Sequence, residues 1–281
     1  MRYFGARHQA TVSRKAMGAV LGFIAGLPGL MAPAIAANQT ACTVIKLCYC
    51  INGDLKKTLD AKIESLRSQI AAERAKGKAI GYISTPLSTL GGGYVNLNRD
   101  VSDDVKARLE RRLGEEDVWA LSPALAEAEL PGGKGADYMF MWTSVLEGAK
   151  GLGEDFDFFY FLGPTDFGRY LQLEGRGDLK KVEAYFDNRL KYDTELKAAV
   201  EQGKVTKRQF RDYYGLRASI AFSSGAHDEW NILRILNERR RADKDYGVGN
   251  QLPGFFEGRA LTSADLEREV SKGNAGACAA R

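Results

Sequence analysis

The chain has 281 residues, of which 40 are basic and 36 acidic. Four of the basic residues (Arg2, Arg7, Arg14 and Lys15) lie before residue 37 in a segment without acids, so the rest is formally neutral, with 36 of each sign. This balance does not indicate nucleic-acid binding, which needs a concentrated basic face. The remaining residues, about 245, suffice for one domain or two small ones.

Residues 1–36 have the features of an export signal. The basic residues precede an apolar run from Ala16 to Ala36, which ends in Ala34-Ile35-Ala36. This order predicts a cleaved signal peptide and a periplasmic or secreted protein, with no membrane attachment after cleavage. The alternative is a membrane anchor, which needs about 20 predominantly apolar residues. Glycines and prolines interrupt this run, at Gly26, Pro28, Gly29 and Pro33.

Four cysteines follow the signal, three in an N-terminal tail (residues 37–53) and one in a C-terminal tail (residues 261–281): Cys42, Cys48, Cys50 and Cys278. An oxidising compartment favours disulfides among them. Cys48 and Cys50 are too close in sequence to bridge each other easily, so a link from the first tail to Cys278 is one option, and the pairing stays open. No metal site is expected, because no histidine lies nearby with ligand spacing.

The first half of the remaining chain alternates between helical and extended patterns. Helical spacing predicts a helix over Asp54–Lys76, with Asp54 as N-cap, and an apolar run predicts a strand over Ala79–Ile83. A helix from about Ser102 to Leu113, capped by Ser102 or Asp100, and a strand over Val118–Leu121 come next. Residues Gly135–Leu146 fit a buried helix.

The second half continues the alternation with an insertion. A third strand is predicted over Phe156–Leu162, a charged helical insertion over 178–214, a strand over Arg217–Phe222, and a helix from Ser223 to about Arg241. Alternating strands and helices predict an α/β fold, a Rossmann-like parallel sheet flanked by helices. The insertion precedes the last motif-bearing strand, and one domain covers residues 54–260.

Polar residues follow each predicted strand. Ligands of open parallel sheets bind beyond the carboxyl ends of the strands, so these residues are candidates for one site. They are Ser84, Thr85 and Ser88 after the first strand, Ser122 after the second, Thr165 and Asp166 after the third, and Ser223, Ser224 and Gly225 after the fourth. The alternative is that turns are polar in any fold.

His227 is the only histidine after residue 36, which excludes a multi-histidine metal site there. No Gly-x-Ser-x-Gly motif accompanies it, as a serine hydrolase of the α/β type would require. The alternative for this segment is structural: Asp228 and Glu229 complement the helix dipole, and His227 lies at the surface.

The chain resembles the nucleoside 2-deoxyribosyltransferase-like group, which includes nucleotide N-glycosidases. The resemblance rests on a strand and polar loop, Ala79 to Ser88, and on a Ser-x-Gly-Ala-x-x-Glu turn formed by Ser223, Gly225, Ala226 and Glu229. It covers about Ala79 to Asn237. The inserted helices of residues 178–214 and the export signal depart from the group's pattern.

The resemblance implies a glycosidase or glycosyltransferase that needs no cofactor and acts on a small-molecule substrate. Glu229 would be the nucleophile at the anomeric carbon. The other roles would fall to Tyr82 and Asp166 for the sugar, Ser84 and Ser88 for hydroxyls or phosphate, Ser223, Ser224 and the Gly225 amide for an anionic group, and Trp230 or Tyr94 for stacking on the base.

Two other functions fit the sequence. One is another small-molecule hydrolase that uses His227 as acid and base. The other is an exported, non-catalytic protein that binds a ligand or a partner through the insertion and the first helix. Homo-oligomer formation stays open.

Overall fold

A five-stranded, mostly parallel β-sheet with helices on both faces organises the chain. The structure is a computed structural model that describes residues 38–87 and 90–279, so the predicted signal peptide and Ser88 lie outside the described residues. The strands of this sheet are β3 (Ala79–Ser84), β4 (Val118–Leu121), β5 (Phe158–Phe161), β6 (Gly254–Phe256) and β7 (Arg259–Ala260). Their order is β4-β3-β5-β6-β7, and only the β6–β7 pair is antiparallel. This arrangement confirms the predicted fold class.

The helices divide between the two faces of the sheet. One face carries α1 (Lys56–Ala75), α3 (Gly135–Leu146) and α8 (Ser224–Ala242), and the other carries α2 (Val95–Leu113), α4 (Pro164–Tyr170), α5 (Asp178–Arg189), α6 (Thr194–Glu201) and α7 (Lys207–Leu216). A short helix, α9 (Ser263–Glu267), follows β7. No helix in the described part of the chain is long and apolar enough to cross a membrane.

Strand β5 shows why the sheet is buried on both sides. Its residues alternate between the two apolar clusters, with Phe159 and Phe161 in one and Phe158 and Tyr160 in the other. All four side chains are buried. A continuous apolar run is the pattern of a parallel strand covered by helices on both faces, and burial of each large side chain contributes about 2 kcal/mol.

The N-terminal tail is a hairpin of β1 (Asn38–Cys42) and β2 (Cys48–Asn52), which were not predicted as strands. Cys42 and Cys48 face each other across the hairpin and form a disulfide, and Cys50 forms a second one with Cys278. The hairpin packs against α3, where the Tyr49 hydroxyl bonds to the Thr143 hydroxyl at 2.7 Å. Both tails are therefore part of the folded body.

The predicted strand over Arg217–Phe222 is wrong. Residues Ile220–Phe222 form a 3-10 turn, whose first residues are capped by the Ser219 hydroxyl accepting from the Ala221 N–H at 3.1 Å. The Ile220 N–H donates to the Leu162 carbonyl at 3.2 Å, so the turn lies beyond the end of β5. Serines on both sides of a three-residue apolar run compete for the backbone bonds that a strand would need.

The predictions for helices α1 and α2 also need correction. Helix α2 begins at Val95, because Leu97, Val101 and Val105 form one continuous buried stripe, and Ser102 lies inside the helix and does not cap it. Asp54 does not cap α1 either; it lies in a 3-10 turn, Gly53–Leu55, that precedes the helix. Helix α4 was not predicted, and the insertion contains the three helices α5, α6 and α7.

Candidate active site

A cavity of about 560 Å³ opens at the carboxyl ends of β3 and β4, beside the N-terminus of α8. In the sheet, β4 lies on one side of β3 and β5 lies on the other, so the strand order reverses at β3. Open α/β sheets bind ligands beyond the carboxyl ends of the strands at such a reversal. The lining is mostly apolar and aromatic with a few polar groups: Thr85, Leu87, Val95, Arg99, Pro123, Leu125, Ala128, Glu129, Gly133, Gly135, Tyr138, Met139, Trp142, Ser223, Ser224, Gly225, Glu229 and Asn274.

Glu229 lines this cavity and is held by two hydroxyl groups of β3. The Tyr82 hydroxyl donates to its Oε1 at 2.6 Å, and the Ser84 hydroxyl donates to its Oε2. Tyr82 and Ser84 reach the same carboxylate because residues two apart in a strand share one face of the sheet. Glu229 is only 3% exposed. The carboxylate is therefore fixed by neutral donors at the edge of a cavity.

Burial of Glu229 opposes its ionisation, and two hydrogen bonds partly offset that effect. Burial raises the pKa of Glu229 to about 7, while the hydrogen bonds from Ser84 and Tyr82 act in the opposite direction and the nearby Asp228 raises the pKa further. Burial also raises the pKa of Tyr82 well above its usual range, so this phenol stays a hydrogen-bond donor. A carboxylate that titrates near neutrality in a cavity is typical of a functional group.

The start of α8 brings Ser223, Ser224 and Gly225 to the same cavity. Ser223 is the N-cap of α8, and its hydroxyl accepts from the Ala226 N–H at 3.3 Å. Glu229 follows in the second turn of the helix. The Ser-x-Gly-Ala-x-x-Glu segment thus forms a cap and the first turns of a helix, with the glutamate and the small residues on one cavity wall.

Asp166 lies away from this cavity, on the opposite side of the sheet end. It is the third residue of α4, and its Oδ1 accepts from Arg108 Nη2 at 3.1 Å and from the Tyr160 hydroxyl at 3.1 Å. Burial raises the pKa of Asp166, and the hydrogen bond from Arg108 lowers it. These contacts form a partly buried ion pair that holds α4 against α2.

Tyr94 is likewise not among the cavity residues in the described part of the chain. Its hydroxyl donates to Asp193 Oδ1 at 2.7 Å, and its backbone N–H donates to the Tyr214 hydroxyl at 2.7 Å. Both partners belong to the helical insertion or its loops. Tyr94 therefore ties the start of α2 to the insertion.

His227 and Trp230 lie beside a different, smaller cavity of about 290 Å³. His227 Nε2 lies 3.0 Å from the Ala221 carbonyl and Nδ1 lies 2.9 Å from the Ser271 hydroxyl. Trp230 Nε1 donates to the Arg268 carbonyl at 3.0 Å. Side chains two residues apart in an α-helix differ by about 200° around the helix axis, so His227 and Glu229 point to opposite sides of α8.

Several cavity residues were not predicted. Trp142 and Tyr138 lie on α3, whose bounds were predicted correctly, but helical spacing alone does not tell which face meets a cavity. Arg99 lies in the first turns of α2, which were not predicted as helix. Asn274 comes from the C-terminal tail, where no sequence signal marks it.

The C-terminal tail reaches the cavity through Asp228, the neighbour of Glu229. The buried Asp228 carboxylate accepts from the backbone N–H groups of Gly273 at 2.9 Å and Asn274 at 2.5 Å. Farther along, the Cys50–Cys278 disulfide joins the tail to the hairpin. Asn274 is thereby held as one wall of the cavity.

Among the described residues, no group of histidine, cysteine, aspartate and glutamate side chains is arranged to hold a metal ion. Comparison of the chain with protein-family models, curated proteins and solved structures finds no significant match. The resemblance to the nucleoside 2-deoxyribosyltransferase-like group therefore stays a prediction.

Proposed function

We propose that the protein cleaves the glycosidic bond of a nucleoside or nucleotide, with Glu229 as the nucleophile. The observation that carries this proposal is the buried Glu229 carboxylate, held by Tyr82 and Ser84 at the edge of a ligand-sized cavity. Cavities of about 300–1,000 Å³ with mostly apolar lining and a few fixed polar groups are typical of small-molecule sites.

The chemistry needs a carboxylate that is both ionised and fixed in place. One oxygen of Glu229 attacks the anomeric carbon as the bond to the base breaks, and the sugar becomes an ester of the enzyme. Water or a second base then releases the sugar. A pKa of about 7 leaves a large fraction of Glu229 ionised at neutral pH, and poor solvation makes that fraction reactive.

The remaining residues of the cavity suit a sugar with an aromatic substituent. Trp142, Tyr138 and Met139 supply apolar and aromatic surface for a ring, while Ser223, Ser224 and Asn274 supply polar atoms for hydroxyl groups. Asp166, His227, Tyr94 and Trp230, which the sequence also suggested, have no part in this proposal because they lie elsewhere.

Export to the periplasm or medium belongs to the same proposal. The basic and apolar segment before residue 37 supports it, and so do the two disulfides, since such bonds persist in oxidising compartments.

The test incubates the protein with a panel of nucleosides and nucleotides and measures the release of free base by chromatography. Glu229→Gln keeps the shape of the side chain and its two hydroxyl neighbours, and His227→Gln is the matched control on the same helix. We expect Glu229→Gln to lower turnover by at least about 1,000-fold, in the range of removing a catalytic group, and His227→Gln to leave it within about threefold.

Full activity of the Glu229→Gln variant would overturn the proposal. Loss of activity in the His227→Gln variant alone would favour the hydrolase that uses this histidine. Tight binding of a ligand without any turnover would favour a non-catalytic binding protein.

A further inference from the structure

The charged side chains that line the cavity leave one negative charge, that of Glu229, without a charged partner among the described lining residues. Among the described cavity residues, the charged groups are Arg99, Glu129 and Glu229. Arg99 Nη2 pairs with Glu129 Oε1 at 2.6 Å, which offsets both of those charges. Glu229 receives its hydrogen bonds from neutral hydroxyls. No cation among the described residues therefore pairs with Glu229, and its negative charge attracts a positively charged ligand.

The described cavity residues also offer little to protonate a departing base. His227 and Asp166 lie outside the cavity and bond to other groups. The Tyr138 hydroxyl accepts from the Leu130 N–H at 2.9 Å and donates to the Leu130 carbonyl at 3.3 Å. Glu129 is in its ion pair with Arg99. None of the described residues is therefore placed to act as a general acid for a leaving group in this cavity.

Leaving groups differ in how much they need a proton. A neutral purine or pyrimidine departs as an anion unless it is protonated, and enzymes usually supply that proton from a positioned acid. A pyridinium ring already carries a positive charge on the nitrogen that bonds to the sugar. It departs as a neutral pyridine without any proton transfer.

We propose that the substrate is a cationic N-glycoside, a sugar bonded to the ring nitrogen of a pyridinium such as that of nicotinamide. This inference rests on the proposed glycosidase function and narrows its substrate class. The cation would lie beside Trp142 and Tyr138, which line the cavity, and cation–π attraction to these rings would add to its attraction to Glu229.

The reaction balances without an added acid or oxidant. A Glu229 oxygen forms a bond to the anomeric carbon while the bond from that carbon to the ring nitrogen breaks. The electron pair of the broken bond goes to the nitrogen and neutralises the ring. Water then attacks the anomeric carbon of the ester, the sugar leaves with the hydroxyl group, Glu229 is regenerated as a carboxylate, and one proton goes to solvent.

The first experiment compares nicotinamide riboside with adenosine and uridine under the same conditions at pH 8. We expect nicotinamide release from the cationic substrate at a rate at least roughly 100-fold above base release from the neutral ones. Pyridinium ribosides with less basic leaving pyridines should react faster, because no proton transfer assists their departure. Faster cleavage of adenosine or uridine would overturn the cationic substrate class and leave the glycosidase proposal standing, whereas no cleavage of any of them would overturn both.

The second experiment measures the binding of ligands that have no glycosidic bond and so cannot be cleaved. 1-Methylnicotinamide is a pyridinium cation, and nicotinamide is its neutral counterpart. In calorimetry at pH 8 we expect the wild type to prefer the cation, and Glu229→Gln to lower that preference roughly tenfold. The His227→Gln variant should keep the wild-type preference. Equal binding of the two ligands by the wild type would overturn the inference, even if Glu229 proves to be the nucleophile.

Discussion

Replacing Glu229 by glutamine should stabilise the protein at alkaline pH while it removes activity. The pKa of Glu229 is raised from 4.5 to about 7 by burial, so the folded protein holds its proton more tightly than the unfolded chain. The protein is therefore most stable with respect to this group below pH 4.5. Stability falls as the pH rises from 4.5 to about 7 and stays lower above that, by about 3 kcal/mol at 1.36 kcal/mol per unit.

Glutamine does not ionise and so avoids this cost. Its side-chain oxygen can still accept from Tyr82, and its amide can donate to the Ser84 hydroxyl. The gain of about 3 kcal/mol at pH 8 corresponds to a rise in melting temperature of roughly 6–12 °C for a domain of this size. At pH 4.5 the two proteins should melt at nearly the same temperature, because Glu229 is then protonated when folded.

Thermal unfolding at the two pH values, with both disulfides intact, measures the difference. The control is Asp228→Asn, the neighbouring buried carboxylate, which accepts from the backbone of Gly273 and Asn274. Its loss should destabilise the protein by about 1–3 kcal/mol at pH 8, opposite in sign to the effect at Glu229. If Glu229→Gln melts lower than the wild type at pH 8, the ionised carboxylate stabilises the folded protein and its burial carries no net cost.

The remaining predictions concern pH, hydrogen bonding and the disulfides. Wild-type turnover should fall as the pH drops through about 7, where Glu229 takes up its proton, and a flat profile of kcat/KM from pH 5 to 9 would contradict this. Tyr82→Phe removes a hydrogen-bond donor to the carboxylate and should raise the pH at which kcat/KM falls by about one unit. An unchanged pH profile would show that the Tyr82 hydroxyl does not lower the pKa of Glu229. Replacing Cys50 and Cys278 by serine opens a loop with a sequence separation of 228 and should cost about 5 kcal/mol in the chain-entropy description. The melting temperature should fall accordingly, and a reducing agent should lower it further only by the smaller contribution of the remaining Cys42–Cys48 disulfide.

Local patterns were enough to predict the core of the fold. Strand β4 and helix α3 have the predicted bounds, because an apolar run between polar turns and a helical repeat of buried residues are properties of short segments. Helix α2 was predicted too short, and β6 was missed. A three-residue strand such as β6 has too few residues for any pattern, and only its pairing with β5 makes it a strand.

From the amino-acid sequence alone one can predict that strands and helices alternate, that small and polar residues follow the strands, and that Glu229 lies near the start of a helix, four residues after a glycine. Which of these residues come into contact depends on how the elements pack. Tyr82 and Ser84 reach Glu229 because β3 presents one face to α8, whereas His227, two residues away on the same helix, faces the other side. Asn274 reaches the cavity because Asp228 and a disulfide hold a distant tail there, and a contact across such a separation leaves no periodic trace in the chain.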